Sequence, residues 1–189
     1  MILLVLGLVL FIGAHLFARA RGPRAALVGR MGEGPYKALY SLVSLAGLAL
    51  IVIGWRAAPF VEVWSPPVWT RHLALLLMWP AFVLLVSYRL PGHIRAKAKH
   101  PMLAAVKLWA TAHLLANGDL AGILLFGSLL AWAVFARVAL KKAERVEGAP
   151  PRPASWQNDL IAIVIGTALY LLFGAFLHPL LIGRSVFGA

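Results

Sequence analysis

Residues 2–18 read ILLVLGLVLFIGAHLFA and contain no charged side chain. A hydrocarbon core of ~30 Å takes about 20 helical residues to cross, so this run predicts a transmembrane helix. Five further apolar runs, bounded by charged or turn residues, lie at 36–55, 68–88, 101–116, 120–139 and 159–181. The run at 101–116 is the weakest because it is short and carries Lys107, Thr111 and His113. The pattern predicts an all-α, polytopic transmembrane bundle of about six helices, forming a single domain over residues 1–189.

The composition excludes a water-soluble globular domain, since 62% of the 189 residues are hydrophobic and only 13% are charged. Lys and Arg number 18 against 6 Asp and Glu. Three connections between apolar runs hold most of these cations, with five in 19–37, four in 89–99 and five in 137–152. Such loop clustering indicates membrane topology rather than nucleic-acid binding, and it predicts an integral membrane protein with both termini outside the cytoplasm. The apolar residues after Met1 follow no basic segment, so we expect the first helix to be retained.

Six histidines are the unusual feature of a chain with so few polar residues. A polar side chain at bilayer depth is costly and is usually paired or functional. Neutral imidazole is a common ligand of haem iron and divalent metals, and facing helices can each supply one. His113 lies deepest and is the strongest candidate ligand. Snorkelling to the membrane interface is the simpler interpretation of His72, His93 and His178.

Depth along the predicted helices limits which histidines can meet at one iron. His113 lies roughly 20 Å along its helix from His100, because a helix rises 1.5 Å per residue. On depth alone, His15 pairs with His100, and His113 pairs with His178 or His72. Trp109 precedes His113 by four residues and shares its helix face. The indole can wall a flat apolar cofactor, or it can pack within the bundle, which is the commoner use of tryptophan there.

The remaining polar residues favour structural roles. Acidic residues are too few for catalysis by paired carboxylates, and the serines lack a nucleophile motif. Asp159, with Asn158, is interpreted as a cap of the sixth helix, and Asp119 as the start of the fifth. Glu144 is placed in the connection after the fifth helix. The absence of cysteine excludes disulfides and thiolate chemistry. The basic connections are interpreted as determinants of membrane topology, with contact to anionic lipids as a second role.

A set of motifs spread over nearly the whole chain is specific enough to suggest a family. Around the fourth helix these are Lys99-His100-Pro101, Leu108-Trp109-Ala110, the stretch HLLANGD at 113–119 and Leu125-Phe126-Gly127. In the N-terminal half they are Gly13-Ala14-His15, Arg24, Gly34, Tyr36 and YSLVSL at 40–45. With these motifs the chain resembles the NnrU family of membrane proteins.

The resemblance implies a cofactor. The family includes bacterial proteins associated with nitrite and nitric oxide respiration, and a plant and cyanobacterial branch that isomerises zeta-carotene with a histidine-ligated b-type haem. Matched by motif, His113 and His15 are the implied iron ligands, and His100 is the histidine of the family's His-Pro pair. Together with Trp109 they form the predicted binding site for haem b. The isomerase branch has a cysteine where this chain has Ala110, so exchange of a cysteine for a histidine ligand is excluded.

The leading hypothesis is therefore a haem-associated inner-membrane protein linked to nitric oxide and nitrite respiration, or a haem-dependent cis-trans isomerase of a lipophilic polyene such as a carotenoid. No residue is assigned a catalytic role. The alternative is a non-enzymatic accessory or assembly protein for a respiratory membrane complex. A small transporter is a third hypothesis, which the sequence supports less because inverted repeats are not apparent. The expected partners are the lipid bilayer, an apolar small-molecule substrate and a respiratory complex, with no nucleic acid.

Overall fold

The computed structural model describes residues 1–148 and 154–187, of which 82% are helical. Within these ranges the only β-type pairing is an isolated bridge between Glu62 and Asp119. A π-helical segment, Phe173–Leu177, separates the last two α-helices. The α-helices are α1 (Ile2–Arg19), α2 (Arg21–Met31), α3 (Glu33–Arg56), α4 (Val68–Ser87), α5 (His93–Ala98), α6 (Pro101–Ala116), α7 (Leu120–Glu147), α8 (Trp156–Leu172) and α9 (His178–Ile182).

Each of the six predicted helices is present at its predicted position. Five helical segments in the described ranges are long and apolar enough to cross a membrane. Helix α6 is apolar but has only 16 residues, which extend ~24 Å and fall short of a ~30 Å hydrocarbon core. The all-helical, multi-pass fold is therefore confirmed. The sixth crossing and the outward placement of both termini stay predictions.

The basic connections contain structure that the apolar pattern did not indicate. Helices α2 and α5 occupy the first two of them, and neither has a buried residue. Helix α7 continues eight residues beyond the predicted end at 139, to Glu147. The placement of Glu144 in a connection was therefore wrong, because Lys and Arg side chains extend an exposed helix as readily as they populate a loop. Arg152, counted in the third connection, lies outside the described residues.

The chain divides into two compact units. The first comprises Met1–Ser65 and Asn117–Leu129, and the second comprises Pro66–Ala116 and Leu130–Ala189. Helix α7 contributes its first part to one unit and the rest to the other. The single domain inferred from the sequence stays a prediction.

In the first unit, α1 and α3 pack backbone against backbone through glycine. A Cβ atom on Gly7 would lie 2.6 Å from the backbone nitrogen of Ile51, and one on Gly47 would lie 2.8 Å from that of Phe11. The contacts run in opposite directions along the two helices, so the pair is antiparallel. Small residues allow this close approach, which is the usual source of helix association inside a membrane.

In the second unit, α4 packs against both α6 and α8. Gly166 of α8 lies against the backbone of Val83, and the Trp79 indole donates a hydrogen bond of 2.9 Å to the Thr167 hydroxyl. A core of Leu103, Ala133 and Ala136 joins α6 to α7. Mostly small side chains are buried, so packing again depends on close helix approach.

Large apolar side chains remain exposed along the candidate spanning helices. The exposed fraction is 66% for Val9, 65% for Leu42, 66% for Leu76 and 63% for Leu160. A water-soluble protein rarely exposes so much contiguous apolar surface, whereas lipid covers it without cost. The exposed faces are therefore those that contact the bilayer.

Candidate functional site

The geometry of His113 in the second unit determines which of its ring nitrogens carries the proton. Its Nδ1 lies 2.8 Å from the carbonyl oxygen of Trp109, one turn earlier in α6. A carbonyl oxygen only accepts hydrogen bonds, so Nδ1 is the donor and carries the hydrogen. In the neutral ring Nε2 then holds an electron pair, which is the tautomer that binds iron or another metal through Nε2.

Trp109 contacts His113, as their four-residue spacing predicts. The two ring centroids are 5.2 Å apart and the ring planes are inclined at 50°. Ala110 and Ala112, between them in sequence, are almost completely buried. Helix α6 therefore packs through its alanines and carries the indole and the imidazole together on another face.

His178 is a second histidine of the same unit. Its imidazole lies close enough for a charge on it to act on His113. His178 follows directly on the π-helical segment Phe173–Leu177, and a single π-helical turn inside an α-helix often accompanies a functional site. Its Nδ1 lies 2.9 Å from the Arg184 carbonyl oxygen, so its tautomer is set as in His113. On depth alone, His113 could pair with His178 or with His72. This arrangement favours His178, because His72 is exposed near the start of α4.

His15 in the first unit has the same local construction. Its Nδ1 lies 2.7 Å from the Phe11 carbonyl oxygen one turn earlier in α1. The Phe11 ring lies against the imidazole, with centroids 4.2 Å apart, and the Tyr40 ring meets it edge-on at 5.5 Å. His15 therefore also presents Nε2 as its electron-pair donor, within an aromatic setting.

Two buried hydroxyl groups lie on the face of α3 that carries Tyr40. Tyr36 and Ser44 flank Tyr40 at four-residue intervals, so the three side chains share a face. Tyr36 is only 5% exposed, and among the described residues neither its Oη nor the Ser44 Oγ has a hydrogen-bond partner. Arg24 lies over the Tyr36 ring, with its guanidinium carbon 5.7 Å from the centroid. Buried hydroxyls are normally satisfied, so this face of α3 has unused hydrogen-bonding capacity.

His100 lies in a different environment from His113. The preceding Lys99 has φ 63° and ψ −49°, and the His100 amide donates to the Ala98 carbonyl oxygen at 2.7 Å. This is a γ-turn in a strained backbone region, where non-glycine residues are uncommon. The turn places His100 at the start of α6, with Nε2 2.9 Å from Glu144 Oε1 on α7. The local geometry is thus that of a histidine–carboxylate pair.

The structure also forms a histidine–carboxylate pair that the sequence did not indicate. Asp159 is 4% exposed, and its Oδ2 accepts 2.9 Å hydrogen bonds from the His93 amide and the His93 Nδ1. Its Oδ1 accepts one from the Ile94 amide, also at 2.9 Å. Asp159 therefore caps α5 and does not cap α8, so that interpretation was wrong. Asp119 does cap its own helix, by accepting from the Gly122 amide at 2.8 Å.

The sequence-predicted site residues thus fall into separate groups. The second unit holds His113 beside Trp109, with His178 within electrostatic reach, and it holds His100 against Glu144. His15 belongs to the first unit. Within the described ranges, no three side chains of His, Asp or Glu gather closely enough to hold a metal ion.

The fold and these groups define a polytopic helical membrane protein with partly buried imidazoles of fixed tautomer. A family model described as "NnrU protein" matches residues 3–186, which is nearly the whole chain. The protein therefore belongs to the NnrU family. No curated protein and no solved structure matches the chain.

Proposed function

We propose that this chain is a haem-binding protein of the bacterial inner membrane, which acts in or beside nitric oxide and nitrite respiration or isomerises a lipophilic polyene. The observation that carries the proposal is the bond from His113 Nδ1 to the Trp109 carbonyl oxygen, with its counterpart between His15 and Phe11. Each bond orients an imidazole and leaves Nε2 as the electron-pair donor. His113 and His15 are the proposed iron ligands.

The donor set suits haem better than a bare metal ion. Structural zinc takes four protein ligands and catalytic zinc usually three, whereas haem iron needs one or two because the porphyrin occupies the rest. The described residues offer histidines singly or in pairs and no larger cluster. The buried hydroxyls of Tyr36 and Ser44, together with Arg24, supply hydrogen-bond donors and positive charge suited to the carboxylates of such a cofactor.

The chain's own residues would hold and shield the cofactor. The Trp109 and Phe11 carbonyls keep the hydrogen on Nδ1, and the Trp109 indole covers an apolar surface beside His113. When bound, haem iron would supply one-electron exchange or Lewis-acid activation of a conjugated substrate. An apolar substrate reaches such a site laterally from the bilayer, since few ionisable groups line the spanning helices.

The test is an absorption spectrum of the detergent-purified protein, oxidised and dithionite-reduced, with iron measured per chain. We expect a Soret band and sharp reduced bands in the wild type, and their loss in His113→Ala and in His15→Ala. His72→Ala is the matched control and should keep the spectrum, because His72 is exposed near the start of α4. Imidazole added to His113→Ala should restore the reduced bands if the side chain is a ligand rather than a packing element.

Two outcomes would redirect the assignment. Loss of the bands in His113→Ala but not in His15→Ala would replace His15 with His178 as the second ligand, and a His178→Ala variant would then lose them. A colourless and iron-free protein, after expression with ample haem, would overturn the haem proposal. Co-purification of a respiratory complex in that case would favour the accessory role.

A further inference from the structure

A groove of about 410 Å³ lies between α5 and α8 in the second unit. Helix α5 contributes His93 and Lys97, and helix α8 contributes Trp156, Leu160 and Ile163. The groove belongs to neither of the histidine groups proposed to bind haem.

The end of the groove formed by α5 carries one lysine and one carboxylate. Lys97 is exposed on its wall. Asp159 also borders the groove, but its two oxygens accept three hydrogen bonds from His93 and Ile94. The negative charge of Asp159 therefore faces α5, where two backbone amides and the imidazole largely compensate it. The ammonium group of Lys97 remains to attract an anion.

The wall formed by α8 becomes apolar along the helix. Trp156, Leu160 and Ile163 are spaced by four and three residues, so they form one stripe. Leu160 is 63% exposed and Ile163 is 38% exposed. The candidate membrane span begins at Trp156, where the His93 ring stacks on the indole with centroids 4.3 Å apart. The stripe therefore runs from the membrane surface towards the hydrocarbon core.

We propose that this groove binds an anionic phospholipid. Its phosphate lies at Lys97 and His93, and an acyl chain lies along Leu160 and Ile163. Basic side chains at the membrane surface attract anionic lipid headgroups, and an adjoining apolar wall in contact with hydrocarbon retains the chain. A free phosphate would use only one lysine and the imidazole, and it would leave the apolar half of the groove without a ligand.

The test is native mass spectrometry of the delipidated full chain in detergent. The protein is titrated with phosphatidylglycerol and, separately, with phosphatidylcholine of the same acyl chains. We expect tighter binding of phosphatidylglycerol, and a loss of about fivefold in its affinity in Lys97→Ala, as for one lysine at a membrane surface. Lys142→Ala removes the same charge from an exposed position of α7 outside the groove and should bind as the wild type does.

A second variant tests the apolar half without changing charge. Ile163→Trp adds bulk to the apolar wall of the groove and should weaken phosphatidylglycerol binding while thermal unfolding stays near that of the wild type. Equal affinity for the two lipids, or equal binding by Lys97→Ala and Lys142→Ala, would overturn the proposal. So would displacement of phosphatidylglycerol by millimolar inorganic phosphate, which would show an anion site that does not recognise the chain. These outcomes are independent of whether the protein binds haem.

Discussion

His113 and His93 each bond Nδ1 to an oxygen, but the oxygens come from different distances along the chain. For His113 the acceptor is the carbonyl of Trp109, four residues away in its own helix. For His93 it is the carboxylate of Asp159, 66 residues away. A bond to the same helix orients the ring without linking two segments. A bond to a distant carboxylate fixes one helix against another.

This difference suggests distinct roles: His113 is suited to binding a ligand, whereas the His93–Asp159 pair stabilises the fold. The Trp109 carbonyl also accepts the helical bond from the His113 amide, so the imidazole adds no structural constraint. Asp159 receives three bonds from α5, including two from backbone amides, and α5 depends on it. We therefore expect substitutions around Asp159 to change stability, and substitutions of His113 to change ligand binding.

The largest effect is expected from Asp159→Ala. The change leaves the His93 and Ile94 amides and the His93 ring without their acceptor. Each of these donors that stays buried lowers the free energy of unfolding by about 1–3 kcal/mol. We expect the free energy of unfolding in detergent to fall by about 3 kcal/mol. The control, Asp119→Ala, removes one capping bond at the start of α7 and should cost about 1 kcal/mol. Equal losses in the two variants would contradict the structural role of Asp159.

A smaller loss is expected from Gly92→Ala. A Cβ atom at this position would collide with the Asp159 carboxylate, so the carboxylate must move away from the amides that it caps. We expect a loss of about 2 kcal/mol in the free energy of unfolding, which is typical of overpacking a close contact. Gly13→Ala in α1 is the control, because a Cβ atom there meets nothing within 4 Å. That variant should be neutral or slightly more stable, since alanine favours helix. A neutral Gly92→Ala would show that the carboxylate tolerates displacement.

The smallest effect on stability is expected from His113→Ala. No buried hydrogen-bonding group loses its only partner within α6, because the Trp109 carbonyl keeps its helical bond. We expect the free energy of unfolding of the apoprotein to change by less than about 1 kcal/mol. The same variant is expected to lose the haem spectrum completely. A loss of stability as large as that of Asp159→Ala would mean that His113 holds the fold and would remove the contrast with His93.

Hydropathy predicted most of the helices, because each spanning segment must satisfy its backbone hydrogen bonds within itself and must be apolar over the width of the bilayer. The sharing of one face by Trp109 and His113 was also predictable, since helical spacing alone determines it. Nothing in the local pattern indicated that α5 would form, because its six residues acquire their cap from Asp159 on another helix. For the same reason Asp159 was interpreted as a cap of its own helix. The haem ligands stay predictions that spectroscopy will test.

The sequence by itself determined that this is a helical membrane protein of the NnrU family, since composition, apolar run length and local motifs are properties of single segments. Only the tertiary structure decided that His93 pairs with Asp159 and that Glu144 reaches His100 from a longer α7. The physical reason is distance along the chain. Hydrogen bonds within one helix follow from spacing, whereas bonds between helices depend on which glycine and alanine faces allow two backbones to meet.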